Sequence, residues 1–413
     1  MIRSKNQDKY IQTGLDVGSN KICCAITEID PNTNTVKLLG IGTSPATGIK
    51  KGSITHRDQL IDEMDNALQE AQVMANLTVQ SLSLGISGDH IRGINTQGAI
   101  AIGGNNNSSV SAQKEITDSD VRNVLDLAKA ISLPIDRDIL HVLPQEFVID
   151  TMDSIKDPVG LTGRRLEARV HLITVATTAA TNLASCAEEL GVSVDAMVYQ
   201  GLASSIATLA EDEKNLGVVC VDIGATTTDI VIYFDGGIRH TSTISIGGAS
   251  ITNDIAVMLQ VGIEEAEKIK KTYGSAKASM SSPELDFELP SNNGELKRKI
   301  SEHELSRYVE ARMVEILQLM GSSSLMATPS EADFSNAISG DVEKYFQLIN
   351  LGARDRVALY RLAHDVAVSG FGSRQNLYER FFFGAPHIMN AAYYDIYDKD
   401  DKIGRIEELL NSV

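Results

Sequence analysis

The sequence predicts a two-lobed α/β protein in which one structural unit occurs twice. Three observations carry this. The stretches "TGLDVGSNKICCAIT" (13–27) and "VVCVDIGATTTDIVIY" (218–233) follow one pattern: an apolar run, an Asp, an apolar residue, a Gly, small polar residues and a second apolar run. Segments with strand character alternate with segments of helical period as far as residue 320. The composition, 43% hydrophobic and 22% charged over 413 residues, is that of a globular chain with room for several domains.

Taken in order, "TGLDVGSNKICCAITEID" predicts two strands around a tight turn and "VKLLGIGTSPA" a third. In "HRDQLIDEMDNALQEAQVMAN", Leu60, Ile61, Met64, Leu68 and Ala71 recur at helical spacing, with Asp58 as the expected N-cap. "QSLSLGIS" is a further strand, which makes a mixed sheet with helices packed on it. "GGNNNSSVSAQ" (103–113) reads as a surface loop. Thr117 or Asp118 then caps a helix carrying Val121, Val124, Leu125, Ala128 and Ile131. "ILHVLPQEFVID" and "RLEARVHLITVAT" are strands, and "TNLASCAEELG" is a helix leading to "VDAMVYQG". A helix from 203, "ASSIATLAEDEKNLG", runs into the second Asp-x-Gly strand, and "GGIRHTSTISIGG" adds a hairpin. Residues 249–274 are mostly helical, 274–296 form a loop, and "SEHELSRYVEARMVEILQLM" is a helix of about five turns.

Charge and composition narrow the function. A net charge of −18 argues against nucleic acid as a partner, because phosphate backbones require a basic face. No run of 18 apolar residues suggests a spanning helix, and "MIRSKNQDKYIQTG" lacks the apolar core of a signal peptide. Cys23, Cys24, Cys186 and Cys220 form no CxxC, and three lie in apolar strand-like runs, as expected of packed, reduced thiols in the cytoplasm.

The repeated pattern has a chemical reading. A strand ending in Asp-x-Gly and a returning strand make a hairpin whose turn can meet an anion, since Gly18 and Gly224 carry no Cβ and turn amides donate to phosphate oxygens. Ser19, Asn20, Thr226 and Thr227 add side-chain donors, and Lys21 balances charge. A carboxylate in a polyphosphate site needs an intervening cation, so Asp16 and Asp222 are candidate Mg²⁺ ligands. Two such hairpins facing each other would clamp one nucleotide between lobes. No HExxH, GxSxG, Walker loop or strand-following GxGxxG competes with this reading.

The paired hairpins resemble the two phosphate motifs of the actin, heat-shock ATPase and sugar kinase superfamily. Within it, "GLDVGSNKICCAI", "ILHVLPQEFVID", "DPVGLTGRRLEARVHLIT", "GLASSIATLAEDEKNLGVVCVDIGATTTDI" and "SIGGASITNDIA" are similar to the bacterial cell-division FtsA family. The resemblance implies an actin-like (ribonuclease H-like) two-lobed ATPase fold with an inserted α+β subdomain. It divides the chain into lobe 1 (1–84 and 166–194), the insert (85–165) and lobe 2 (195–320). It implies ATP and Mg²⁺ as ligands, held by Asp16, Gly18, Ser19, Asn20 and Lys21 in the first motif. Asp222, Gly224, Ala225, Thr226, Thr227 and Asp229 form the second, and Glu267 and Lys270 stand toward ribose and base. It further implies weak self-association and a role as a scaffold linking FtsZ filaments to the inner face of the cytoplasmic membrane. The FtsZ tail would meet the helix at 301–319 through Glu304, Arg307 and Arg312. The region expected to orient water reads "YQGLASS", so slow or absent hydrolysis is expected.

The resemblance stops near residue 320. The Gly-rich adenine-side loop and the basic amphipathic membrane helix of that family have no counterpart. Twelve of the twenty aromatic residues fall from Phe334 onward. "LMATPSEADF", "ALYRLAHDVAVSGFGSRQNLYERFFFGAP" and "AAYYDIYDK" instead resemble the helical C-terminal segment of the 4-hydroxyphenylacetate 3-monooxygenase large component, a reduced-flavin oxygenase. A junction of two proteins at 321–324 is therefore expected. The alternatives it opens are a flavin-dependent hydroxylase subunit and an oligomerising chimera in which neither site works. The terminal "KIGRIEELLNSV" carries Glu407 and Glu408 and reads as a packing helix rather than a membrane-surface one.

Overall fold

The computed structural model describes residues 9–33, 35–103, 114–289 and 298–324. Calls on 325–413, including the aromatic-rich helical segment and the flavin-oxygenase resemblance, lie outside them, as does most of the 103–113 loop.

Lobe 1 opens with a meander of β1 (Tyr10–Val17), β2 (Lys21–Asp30) and β3 (Thr35–Pro45). Strand parity sends Thr13, Leu15 and Val17 of β1 and Ile22, Cys24 and Ile26 of β2 into the core, leaving Asp16 on the open face. A two-rung hairpin, β4 (Ile49–Lys50) and β5 (Ser53–Ile54), precedes helix α1 (Arg57–Ala75). The N-cap of α1 is His56, in extended backbone. Asp58, the expected cap, lies inside the first turn, because the backbone already turns helical at Arg57 and Leu60 N–H donates to His56 O. Next comes β6 (Ser81–Ile86), parallel to β1.

α1 lies unusually close to β3. A Cβ on Gly40 would meet Ala71 O at 2.3 Å, and one on Gly42 would meet Ala67 O at 2.0 Å, so only glycine permits the approach. β3 is the edge of its sheet, and α1 also closes that edge. Thr43 N–H donates to Glu70 Oε2 at 2.7 Å, and Ile41 N–H points at Met74 Sδ at 3.4 Å.

The insert has its own sheet and core. β7 (Arg92–Ala101) is followed by β8 (Lys114–Glu115), helix α2 (Asp118–Lys129), β9 (Arg137–Ile149), β10 (Met152–Ile155), β11 (Thr162–Gly163) and β12 (Arg165–Ala176). The four-stranded sheet runs β10-β9-β12-β7 and buries Phe147, Ile149, Leu166, Val170 and Leu172 against α2. Thr117 is the cap, in a reciprocal box with Asp120. β7 has no counterpart among the expected elements. Its polar, glycine-containing sequence shows no alternation, and it is a strand because it pairs with β12 from Ala101–Arg165 to Arg92–Thr174.

The chain returns to lobe 1 through α3 (Thr177–Glu189), which starts four residues before the expected helix, and β13 (Ser193–Tyr199). The lobe 1 sheet is then β13-β6-β1-β2-β3. The single helix expected from 203 is two, α4 (Gln200–Thr208) and α5 (Glu211–Leu216). They break at Leu209, which takes extended backbone and buries its side chain in the core.

Lobe 2 is built on β14 (Val218–Ile223), β15 (Thr228–Phe234) and β16 (Gly237–Ile244). α6 (Gly248–Leu259) and α7 (Ile263–Tyr273) pack on it, separated at left-handed Gln260. The expected loop after 274 includes a short strand, β17 (Asp286–Glu288), paired with β18 (Lys299–Ser301). α8 (Glu302–Ser324) buries Leu305, Val309, Met313 and Ile316 against this lobe.

The insert also touches lobe 2. His171 on β12 is 1% exposed, its Nδ1 2.7 Å from Asn95 Oδ1 and its Nε2 2.9 Å from Thr241 Oγ1 on β16. Burial, then the neighbouring His240, holds its pKa down to about 3, so the ring is neutral. All four cysteines are free, and burial pushes the thiols of Cys24 and Cys220 up to about 12.

Gly42→Ala would drive a methyl group into the α1 backbone. The expected cost is about 2–3 kcal/mol, read as a lowered urea midpoint with an unchanged slope.

Candidate functional site

The two Asp-x-Gly turns are superimposable in their bonding. Gly18 N–H donates to Lys21 O at 3.1 Å, and Gly224 N–H to Thr227 O at 2.9 Å. The cross-strand partners flank them alike, Val17 with Ile22 and Ile223 with Thr228. A Cβ would lie 2.8 Å from Lys21 O at Gly18 and 3.1 Å from Thr227 O at Gly224. Glycine is thus needed for the tightness of the bend itself, as well as for an approaching ligand.

α4 binds both bends from one face. Gln200 Nε2 donates to Val17 O at 3.1 Å, next to Asp16, and Ser204 Oγ donates to Asp222 Oδ2 at 2.6 Å. Residues four apart share a helix face, so the ends of β1 and β14 are held within one turn of each other. A second contact crosses between lobes. Lys51 N–H, in the β4–β5 turn, donates to Thr226 Oγ1 at 2.9 Å.

The remaining predicted residues are placed as follows. Ser19 and Lys21 are half-buried and Asn20 is exposed in the first bend, with Asn20 O accepting from Ala46 N–H at 3.0 Å. Ala225, Thr226 and Thr227 are half-buried in the second. The start of α6 rests on that bend, with Gly248 N–H on Gly224 O at 2.9 Å and Ala249 N–H on Ala225 O at 2.8 Å. Glu267 and Lys270 pair at 2.6 Å, and Lys270 Nζ also donates to Thr252 Oγ1 at 2.9 Å and Gly248 O at 3.2 Å. Burial works to raise the pKa of Glu267, but hydrogen bonds from Lys270 and Thr252 outweigh it and hold the carboxylate low. That pair therefore stands beside the second bend rather than on a free helix face.

Asp229 differs from the assignment made for it. It is 4% exposed, and its carboxyl oxygens are taken by protein hydroxyls. Ser87 Oγ lies 2.8 and 2.7 Å from its two oxygens, and Thr243 Oγ1 at 2.5 Å and Tyr199 OH at 3.2 Å donate to Oδ1. Its burial, with Oδ1 accepting from Thr243 and Tyr199, turns this carboxyl away from a solvent-borne ligand, and it joins the end of β6 in lobe 1 to β15 in lobe 2. Burial, opposed by Thr243 and reinforced by the charge of Asp222, raises its pKa to about 7. Gln200, Ser204, Ser87, Tyr199 and Thr243 were not predicted as site residues. The only sequence signal was the i, i+4 spacing of Gln200 and Ser204.

On α8, Arg312 is committed to Asp254 by two bonds at 2.7 and 2.8 Å and also pairs with Glu315. Glu304 accepts from Tyr308 OH at 2.9 Å, and Arg307 is exposed. Among the described residues no helix is long and apolar enough to cross a membrane, and no three His, Cys, Asp or Glu side chains gather as a metal cluster. Two carboxylates with phosphate oxygens are nonetheless an oxygen donor set suited to Mg²⁺.

Comparison with known proteins adds three findings. Residues 88–174 match the family described as the SHS2 domain inserted in FTSA, and residues 219–411 that described as cell division protein FtsA. The second match runs across 321–324, where a junction was expected. The cell division protein FtsA of Pseudomonas aeruginosa is 38% identical over 307 residues, 74% of this chain and 71% of that protein. That of Escherichia coli K12 is 35% identical over 321 residues, 78% and 74%. Among solved structures, a chain of the PilM–PilN type IV pilus biogenesis complex is similar with a TM-score of 0.51 at 13% identity, covering 88% of this chain and 99% of that one. The two-lobed actin-like α/β fold with an inserted α+β subdomain is the fold of this chain.

The raised Asp229 pKa has a consequence for stability. An acid that is protonated more readily when folded contributes most below its ordinary pKa, and that contribution is lost as pH rises toward 7. Wild type should lose about 1 kcal/mol of unfolding free energy between pH 6 and pH 8 relative to Asp229→Asn, measured by urea titration of both proteins.

Proposed function

From the premise that this chain belongs to the FtsA family of cell-division proteins, we propose that it is an ATP-binding actin-like scaffold that links FtsZ-type filaments to the inner face of the cytoplasmic membrane, with slow or no hydrolysis. The observation that supports nucleotide binding best is the α4 clasp, Gln200 on Val17 O and Ser204 on Asp222, because it ties a residue beside each of two matched glycine bends to one helix.

In this reading the bend amides and the side chains of Ser19, Asn20, Thr226 and Thr227 receive phosphate oxygens, and Lys21 offsets their charge. Asp16 and Asp222 would hold Mg²⁺, which would supply positive charge to offset the polyphosphate. Glu267 and Lys270, on α7 and bonded to Thr252 in the first turns of α6, would stand toward ribose and base. The Thr226 hydroxyl would exchange its Lys51 partner for a phosphate oxygen, or keep both, since a hydroxyl can donate and accept together. Asp229 holds the lobes and takes no part in binding.

Slow turnover follows from the same contacts. Gln200 is the side-chain amide nearest the first bend in the α4 sequence, and it is spent on Val17 O. That bond fixes the amide against the backbone, and an amide is too weak a base to take a proton from water, so the expected turnover is slow. For the FtsZ tail, the exposed Arg307 is the stronger candidate on α8, because Arg312 already serves Asp254. Self-association and peripheral membrane attachment belong to the proposal through the family.

Mg-ATP at 100 times its dissociation constant should raise the unfolding free energy by about 2.7 kcal/mol, visible as a thermal shift. Asp16→Ala and Asp222→Ala should each abolish most of that shift. An identical shift in both variants, or none in wild type, overturns the reading.

A further inference from the structure

We propose that Arg92 and Arg137 form a binding site for an oxyanion, a phosphate or carboxylate group, at the neck where the insert joins lobe 1. The site is separate from the two glycine bends and does not rest on their assignment.

Both arginines stand at one end of the inserted sheet. Arg92 opens β7 and Arg137 opens β9, on opposite sides of β12, where Thr174 pairs with Arg92 and Ala176 with Arg137. Each guanidinium is fixed by carbonyls. Arg137 Nη2 donates to His90 O at 2.8 Å and Thr174 O at 3.0 Å, and its Nε and Nη2 reach Thr174 Oγ1 at 3.2 and 2.9 Å. Arg92 Nη1 donates to Ile91 O at 2.7 Å and to Asp89 O. Carbonyls orient a guanidinium without neutralising it. Arg137 Nη1 and Arg92 Nη2 are left with no protein acceptor among the described residues.

Charge makes this arrangement unusual. The chain has 55 acidic and 37 basic residues, yet among the described residues neither arginine is in an ion pair. Burial first, then the charge of Arg92, lowers the pKa of Arg137, so the two cations sense one another. The flanking carboxylates are Asp89, Asp136 and Asp138. All three are exposed, and Asp136 acts on Arg137 only through space. His90, whose backbone carbonyl anchors Arg137, has a buried Nδ1 with no partner, and burial holds its pKa down. Two pre-oriented, like-charged forks with unused N–H groups, Arg92 exposed and Arg137 half-buried, are the chemistry that receives a tetrahedral or planar oxyanion.

The test titrates inorganic phosphate into the full chain by thermal shift, against chloride at matched ionic strength. Wild type should show a saturable stabilisation. Arg92→Gln, at an exposed residue whose bonds are to neighbouring carbonyls, should keep the fold by circular dichroism and weaken phosphate about tenfold or more. Arg92→Lys, which keeps the charge and loses the fork, should fall between. Arg137→Gln should match Arg92→Gln if it folds. Arg92→Gln should leave the Mg-ATP shift of the cleft unchanged, so that the two sites are read separately. Competition by acetate at similar concentration assigns the site to carboxylates, and its failure assigns it to phosphoryl groups. The proposal is overturned if the effect does not saturate, if Arg92→Gln binds as wild type does, or if Arg92→Gln also removes the Mg-ATP shift.

Discussion

The architecture turns on one helical turn of α4. Gln200 grips the end of β1 and Ser204 the end of β14, so the last strand residues before both glycine bends are bound to a single rigid element. The clasp adds to a core that already runs from Leu15 and Ile22 of the first hairpin to Val218 and Val231 of the second. The Asp229 carboxyl does the complementary work beneath it, collecting hydroxyls from Ser87, Tyr199 and Thr243 and so joining the two sheets. Among the described residues no cation pairs with it. A buried acid satisfied only by neutral donors sits near the balance between its charged and neutral forms, and that is the reason its proton is held so much more tightly than in water.

The duplication also shows where the two hairpins part company. Asp16 faces Cys23 across β1 and β2, and Asp222 faces Asp229 across β14 and β15, at the same register. The first copy thus carries a half-buried thiol where the second carries the acid. Sequence comparison of the two stretches treats Asp229 as one more polar residue of a motif. Only the packing reveals that it points between lobes, toward Ser87 and Tyr199.

What could be read from the chain follows the range of the forces involved. The strands of both hairpins, α1 and the Thr117 cap are local features, set by alternation, by helical spacing and by side chain-to-backbone bonds a few residues apart. The glycine bends were legible because they occur twice. β7 was not, since its strand state comes from pairing with β12 some seventy residues later. The break at Leu209 escaped for a similar reason, because a buried tertiary slot overrides a helical pattern there. Among the site residues, the bends themselves were visible, while Gln200, Ser204 and Ser87 act through contacts that no spacing rule in a short helix or a strand end could distinguish from ordinary surface polarity.

The close seating of α1 on β3 has a consequence for assembly. Gly40 and Gly42 let the helix approach, and Glu70 and Met74 then occupy amides of the outermost strand around residues 41–43. A neighbouring molecule that tried to extend this sheet by donating a strand would find those amides already engaged and the helix in its path. Lateral zippering through β3 is thus a growth mode that this edge of the sheet is built to refuse.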